Sequence, residues 1–256
     1  MSHASATPGR PPTPRQRRRE SNLARILDGA MDLVVAGGFD ALSMHKLARA
    51  LDYTPGALYR YFASKDALIA ALTTRLIQSF AGVLERTSTL VPGDAHLQRV
   101  LLALFTYRDL ARHAPNRFGL LSLLLADPRL LVPDEEEAAS PRQAMSSVLM
   151  PLVLALREAV EAGALDVGDA PPASMGDAGE RSVILFASVH GLLQLRKQEA
   201  RVPVVADLDR LVVVSLRSLL LGWGADPTTL SADLDAITAL GDLVDRVGGL
   251  DPESPS

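Results

Sequence analysis

Hydrophobic positions recur at helical spacing along almost the whole chain. Leu23, Ile26, Leu27, Ala30, Met31 and Val34 follow the i, i+3, i+4, i+7 rhythm of an amphipathic helix, and Gly37-Gly38 supplies its stop. Ser43 suits an N-cap, and Leu47, Ala48 and Leu51 then mark a short helix over about 44–51. Lys46 stands where a reciprocal capping box would need Glu. Asp52 and Tyr53 follow, and Asp tolerates the left-handed backbone of a tight turn between crossed helices. Thr54 can cap a second short helix whose first position is Pro55, where a missing N–H costs nothing. Leu58 and Phe62, four apart, share its inward face. Ser64 caps a long helix reaching about Arg86, with Leu68, Leu72 and Leu76 on one stripe.

Beyond Thr87 the periodic signals stay helical and strand signals are absent. Helices are predicted near 94–113, 115–126, 141–162, 177–198, 206–223 and 230–247, separated by breaker clusters such as VPGD, DPRLLVPDEEE, VGDAPPASMGD and GADPTT. Pro151 either kinks its helix or starts it. The last three helices are apolar around most of their circumference, which requires burial on more than one side. A subunit partner would supply that burial, and so would a monomer core.

Two short helices, a tight turn and a capped third helix within 43–68 form the grammar of a helix-turn-helix. The second short helix exposes small residues (Gly56, Ala57), phenols (Tyr59, Tyr61) and a cation (Arg60), groups that let a backbone approach a groove and donate to phosphates or base edges. Residues 21–68 resemble the DNA-binding domain of the TetR family of bacterial transcriptional regulators. The likeness rests on the first helix, Gly37-Gly38-Phe39, Ser43, the run Thr54-Pro55-Gly56-Ala57-Leu58-Tyr59, Tyr61-Phe62 and Ser64-Lys65. It implies a phosphate contact at Ser43, the start of the recognition helix at Thr54, Pro55, Gly56 and Ala57, and backbone clamps at Tyr59, Tyr61 and Lys65. Two departures stand out: Asp52-Tyr53 replaces the usual Gly-Val, and Arg60 adds a cation for base or phosphate.

The resemblance implies an all-α fold. A disordered basic arm (1–19) would precede a three-helix DNA-binding domain (20–66), then a larger helical domain for effector binding and dimerisation (67–248) and a disordered tail (249–256). The arm either reaches an adjacent minor groove or adds only non-specific affinity. The homodimer would form through the helices of 177–198 and 206–223, with Gly191 permitting close approach, and two recognition helices would read a palindromic operator in double-stranded DNA. A small-molecule effector would sit among the helices of 94–198. Phe105, Tyr107, Phe118, Met145, Phe186, His190 and Gln194 are the candidates that combine apolar bulk with a polar handle. His190 and Gln194 lie one turn apart; His190 could equally be an interface histidine. No metal or cofactor is expected.

Charge divides the chain. Residues 1–65 hold ten Lys and Arg against five acids, leaving 16 against 25 for the remainder, as suits a basic DNA-facing end and an acidic body. The 256 residues, 48% hydrophobic, suffice for two domains. Zero cysteines exclude disulfide and thiol chemistry. No uninterrupted apolar run approaches the roughly 18 residues that span a bilayer, and no apolar core follows the N-terminal charges as in a signal peptide. A cytoplasmic protein without membrane contact is expected. Five scattered histidines, with no HExxH, GxSxG or phosphate-binding loop, argue against an enzyme. The competing class is a helical small-molecule-binding or adaptor protein that keeps the fold without reading DNA.

Overall fold

The computed structural model describes residues 13–38, 41–126, 139–166, 176–198 and 207–250. They form α1 (Pro14–Gly37), α2 (Met44–Ala50), α3 (Pro55–Tyr59), α4 (Lys65–Thr87), α5 (His96–His113), α6 (Pro115–Ala126), α7 (Ala139–Glu161), α8 (Gly176–Gln194), α9 (Leu208–Gly222), α10 (Pro227–Ala239) and α11 (Leu243–Arg246). Short 3-10 turns follow α4 and α8, at Ser88–Leu90 and Leu195–Gln198. No strand occurs among the described residues. Contacts divide the chain into two compact units, Met1–Leu72 and Thr73–Ser256.

In the first unit Ile26, Leu27, Ala30, Met31 and Val34 of α1 are buried as their spacing demands. They share the core with Leu42, Met44, Leu47, Ala48, Leu58, Phe62 and Leu68. Leu51 lies so close to Gly29 that a Cβ there would sit 2.9 Å from its Cδ2, so α1 approaches the end of α2 through a missing side chain. The basic stretch expected as a disordered arm is, from Pro14 on, the head of α1. Thr13 and Gln16 form a capping box, each side chain bonded to the other's backbone N–H, and Pro14 occupies the first helical position. Residues 1–12 lie outside the described residues.

The second unit is organised around α5, which packs against α6, α7, α8, α10 and α11. Sequence periodicity singles out the last three helices as buried all round, yet α5 is the helix hidden on nearly every side, Thr106, Arg108 and Asp109 included. Its ionic residues disguise it. Asp109, fully buried, accepts from Arg108 Nε at 2.9 Å and from the Leu243 backbone N–H at 3.0 Å. Burial pushes its carboxyl up, against the Arg108 charge and these hydrogen bonds.

The single helix expected over 230–247 is two. Gly241 turns the chain at φ 73°, and the Asp242 side chain then accepts from the N–H groups of Val244 and Asp245, starting α11 afresh. The helix expected over 177–198 tightens into 3-10 form after Gln194. Pro151 lies inside α7 rather than at its start. Gly249, placed by sequence in a disordered tail, is held: Arg86 donates to the carbonyls of Val247 and Gly249 at 3.2 and 2.6 Å. Residues 251–256 lie outside the described residues. A helical stretch, Lys65–Leu90, is long and apolar enough by length and composition to cross a membrane; 61% of that window is buried within the fold.

Candidate nucleic-acid interface and ligand cluster

The turn between α2 and α3 is a Schellman closure. Asp52 takes φ 57°, the only positive φ at a described non-glycine residue, and Tyr53 N–H returns to the Ala48 carbonyl at 2.8 Å. Thr54 caps α3 through the Ala57 N–H at 3.3 Å, and Pro55 opens the helix. Leu58 is fully buried and Phe62 nearly so, which turns Gly56, Tyr59 and Arg60 outward; Tyr59 is 49% exposed. A Cβ at Gly56 would meet nothing within 4 Å, so no protein atom requires a glycine there. Ser43 caps α2 through Lys46 N–H at 3.2 Å, and Ser64 caps α4 through Ala67 N–H at 2.9 Å, with Lys65 exposed in the first turn of α4.

Tyr61, expected as a backbone clamp, is also held from within its own domain. It is half-buried, and its hydroxyl accepts from Asn22 Nδ2 at 3.1 Å while Asn22 Oδ1 accepts from the Tyr53 hydroxyl at 3.4 Å. Arg25 lies 4.9 Å from the centre of the Tyr53 ring and donates to the Leu51 carbonyl. Asn22 and Arg25 therefore fix both tyrosines, a role sequence reasoning missed. Its signal was present: Asn22 is a polar residue one turn before Ile26 on the inward stripe. The Tyr61 hydroxyl, an acceptor toward Asn22, keeps its own proton for an outside acceptor.

In the second unit five of the seven ligand candidates converge. The Tyr107 ring lies 5.8 Å from Phe118 and 5.2 Å from Phe186, and His190 lies 5.4 Å from Phe118 and 5.5 Å from Phe186. The Tyr107 hydroxyl is 2.7 Å from His190 Nδ1, and the Gln194 amide nitrogen is 2.9 Å from Nε2. A neutral imidazole satisfies this arrangement, with Nε2 accepting from the amide and Nδ1–H donating to the phenol. Burial lowers the pKa of His190 and raises that of Tyr107. Phe105 stays apart. It is two residues from Tyr107 on the same helix, buried under the Arg108 guanidinium, 4.4 Å from the ring centre. Met145 falls within the helical span of α7, but its side chain lies outside the described residues.

A capped, left-handed turn holding a short outward-facing helix across a three-helix core defines a helix-turn-helix protein of the all-α class. Residues 26–72 match the family model for bacterial regulatory proteins of the tetR family. The transcriptional repressor KstR of Rhodococcus jostii is 38% identical over 80 residues, 31% of this chain and 36% of that protein. The HTH-type transcriptional regulator Rv0681 of Mycobacterium tuberculosis is 30% identical over 103 residues, 40% and 46% of the two chains. The chain thus spans about a third to a half of these curated relatives. A TetR-family transcriptional regulator from Mesorhizobium loti has the same fold, with a TM-score of 0.57 at 19% identity over 81% of this chain and 99% of the other. The likeness in sequence is thus to the tetR-family segment at residues 26–72, and the likeness in structure is one of fold over most of the chain.

Proposed function

We propose that the chain is a cytoplasmic transcriptional regulator that binds a palindromic operator as a homodimer and is released by a small molecule, acting as a ligand-responsive repressor. The observation that carries this reading is the outward face of α3: Gly56, Tyr59 and Arg60 stand exposed on a helix whose other face is locked into the core, inside the tetR-family segment. Lys65 and Ser43, at the starts of α4 and α2, flank it as phosphate contacts. Repression is what the name of KstR says of that relative. For dimerisation the support is an apolar surface left open to solvent: Val183 and Ile184 on α8 and Val214 on α9 are 55%, 46% and 49% exposed. Gly191 continues the α8 face.

The cluster of Tyr107, Phe118, Phe186, His190 and Gln194 is the effector contact set in this reading, with aromatic area for a flat apolar ligand and an imidazole–phenol pair for its polar group. Effector and operator oppose each other by linkage, typically by about 1–3 kcal/mol. The test is a mobility-shift assay on DNA from upstream of the chain's own gene. Wild type shifts the duplex, and Lys65→Ala weakens binding to all sequences alike while lowering the salt slope by about one unit. A protein that shifts no duplex even at low salt is the helical binding or adaptor protein instead.

A further inference from the structure

An open groove of about 530 Å³ lies between the head of α1 and the end of α3, lined by Thr13, Arg15, Gln16, Arg18, Arg19, Asn22, Arg60 and Tyr61. Four of these side chains are guanidinium groups, and no carboxylate lines the groove among the described residues. None of the four arginines has an ion-pair partner among the described residues. Arg15, Arg18, Arg19 and Asn22 stand at i, i+3, i+4 and i+7, the spacing of one helix face, and that face runs on into the buried Ile26 and Ala30. The stripe that is apolar against the core thus becomes cationic where α1 outruns it.

Stability does not explain these charges. The first turn of α1 has no acidic residue, and cations there oppose the helix dipole. The capping box and Pro14 nevertheless hold the segment helical, so the arginines are presented in a fixed row rather than on a loose arm. Across the groove stand Arg60, the residue that closes α3, and Tyr61, whose hydroxyl retains a free proton.

We propose that this groove is a second DNA contact, a cradle for the phosphodiester backbone beside the bases read by α3, with Arg15, Arg18, Arg19 and Arg60 as its phosphate ligands. The inference rests on the DNA-binding reading above and assigns Arg60 to backbone rather than to base edges. A duplex strand fits better than a small anion because the groove is open to solvent and ends on the recognition helix itself. Guanidinium forks pair with phosphate oxygens through two parallel N–H bonds.

The test is a salt titration of binding to a random-sequence duplex long enough to overhang a dimer footprint. It compares the full-length wild type with Arg15→Gln/Arg18→Gln/Arg19→Gln, Arg17→Gln and Lys65→Ala. The triple variant is expected to lower the log–log salt slope by about one unit per arginine for each protomer bound. Arg17→Gln, which removes one such charge outside the groove, should leave the slope near the wild-type value rather than lower it by the roughly one unit expected per groove arginine, and far-UV circular dichroism should show every variant equally helical. An unchanged slope in the triple variant, with Lys65→Ala still lowering it, overturns the cradle while leaving the regulator reading intact. So does binding of inorganic pyrophosphate to wild type but not to the triple variant with DNA binding unaltered, which gives the groove to a small polyanion. Absence of any wild-type DNA binding overturns both.

Discussion

Asp52 holds φ 57° without being a glycine, and the Ala48–Tyr53 hydrogen bond depends on it. Left-handed backbone costs most L residues about 1–2 kcal/mol, Asp less. Asp52→Gly should therefore be neutral or stabilising by up to about 1 kcal/mol, whereas a β-branched Asp52→Val should destabilise by about 1–2 kcal/mol in urea unfolding. His190 carries a pH signature. Its folded pKa is lowered by burial from the ordinary 6.5, so the folded protein resists a proton that the unfolded chain accepts. The stability this neutral ring contributes is complete above that ordinary value and declines as pH falls from it toward the lowered folded pKa. Urea midpoints measured across that window should fall for wild type and fall less for His190→Gln; parallel profiles would remove His190 as the source.

The helices of the chain were largely legible because a 3.6-residue period needs only a local reading. What escaped was decided by features without a period. The head of α1 has no apolar residue before Leu23, so nothing but Thr13, Pro14 and Gln16 announced it. The break between α10 and α11 was hidden because Leu240, Leu243 and Val244 keep the rhythm across Gly241. On α5 the sequence offered Phe105 and Tyr107 as equals, although two helical steps turn them about 200° apart. Only the packing of α6 and α8 decided which face met His190. The recognition segment was readable because its caps, turn and core residues are contiguous, while the aromatic cluster joins residues up to 83 positions apart. Thr13→Ala should destabilise the first turns of α1 by about 1 kcal/mol. Hydrogen exchange at residues 14–19 should quicken while the amides around Ile26 keep their protection.

Contacts within each unit account for its core, but Val183, Ile184 and Val214 leave about half of their surface exposed. If α8 and α9 meet a second copy, Val214→Asp should convert a dimer into a monomer by sedimentation equilibrium with its unfolding little changed, and weaken operator binding. A variant that stays dimeric puts the interface elsewhere. The end of the chain has a different consequence. Terminal segments usually tolerate trimming, yet the Leu243 N–H is a ligand of the buried Asp109, and Arg86 grips the Val247 and Gly249 carbonyls. A stop codon after Leu240 would leave Asp109 one donor short inside the core and should destabilise by about 1–3 kcal/mol in urea unfolding. For anyone shortening this protein or fusing a reporter to it, the safe boundary lies beyond the last turn of helix, because that turn closes a core that began more than a hundred residues earlier.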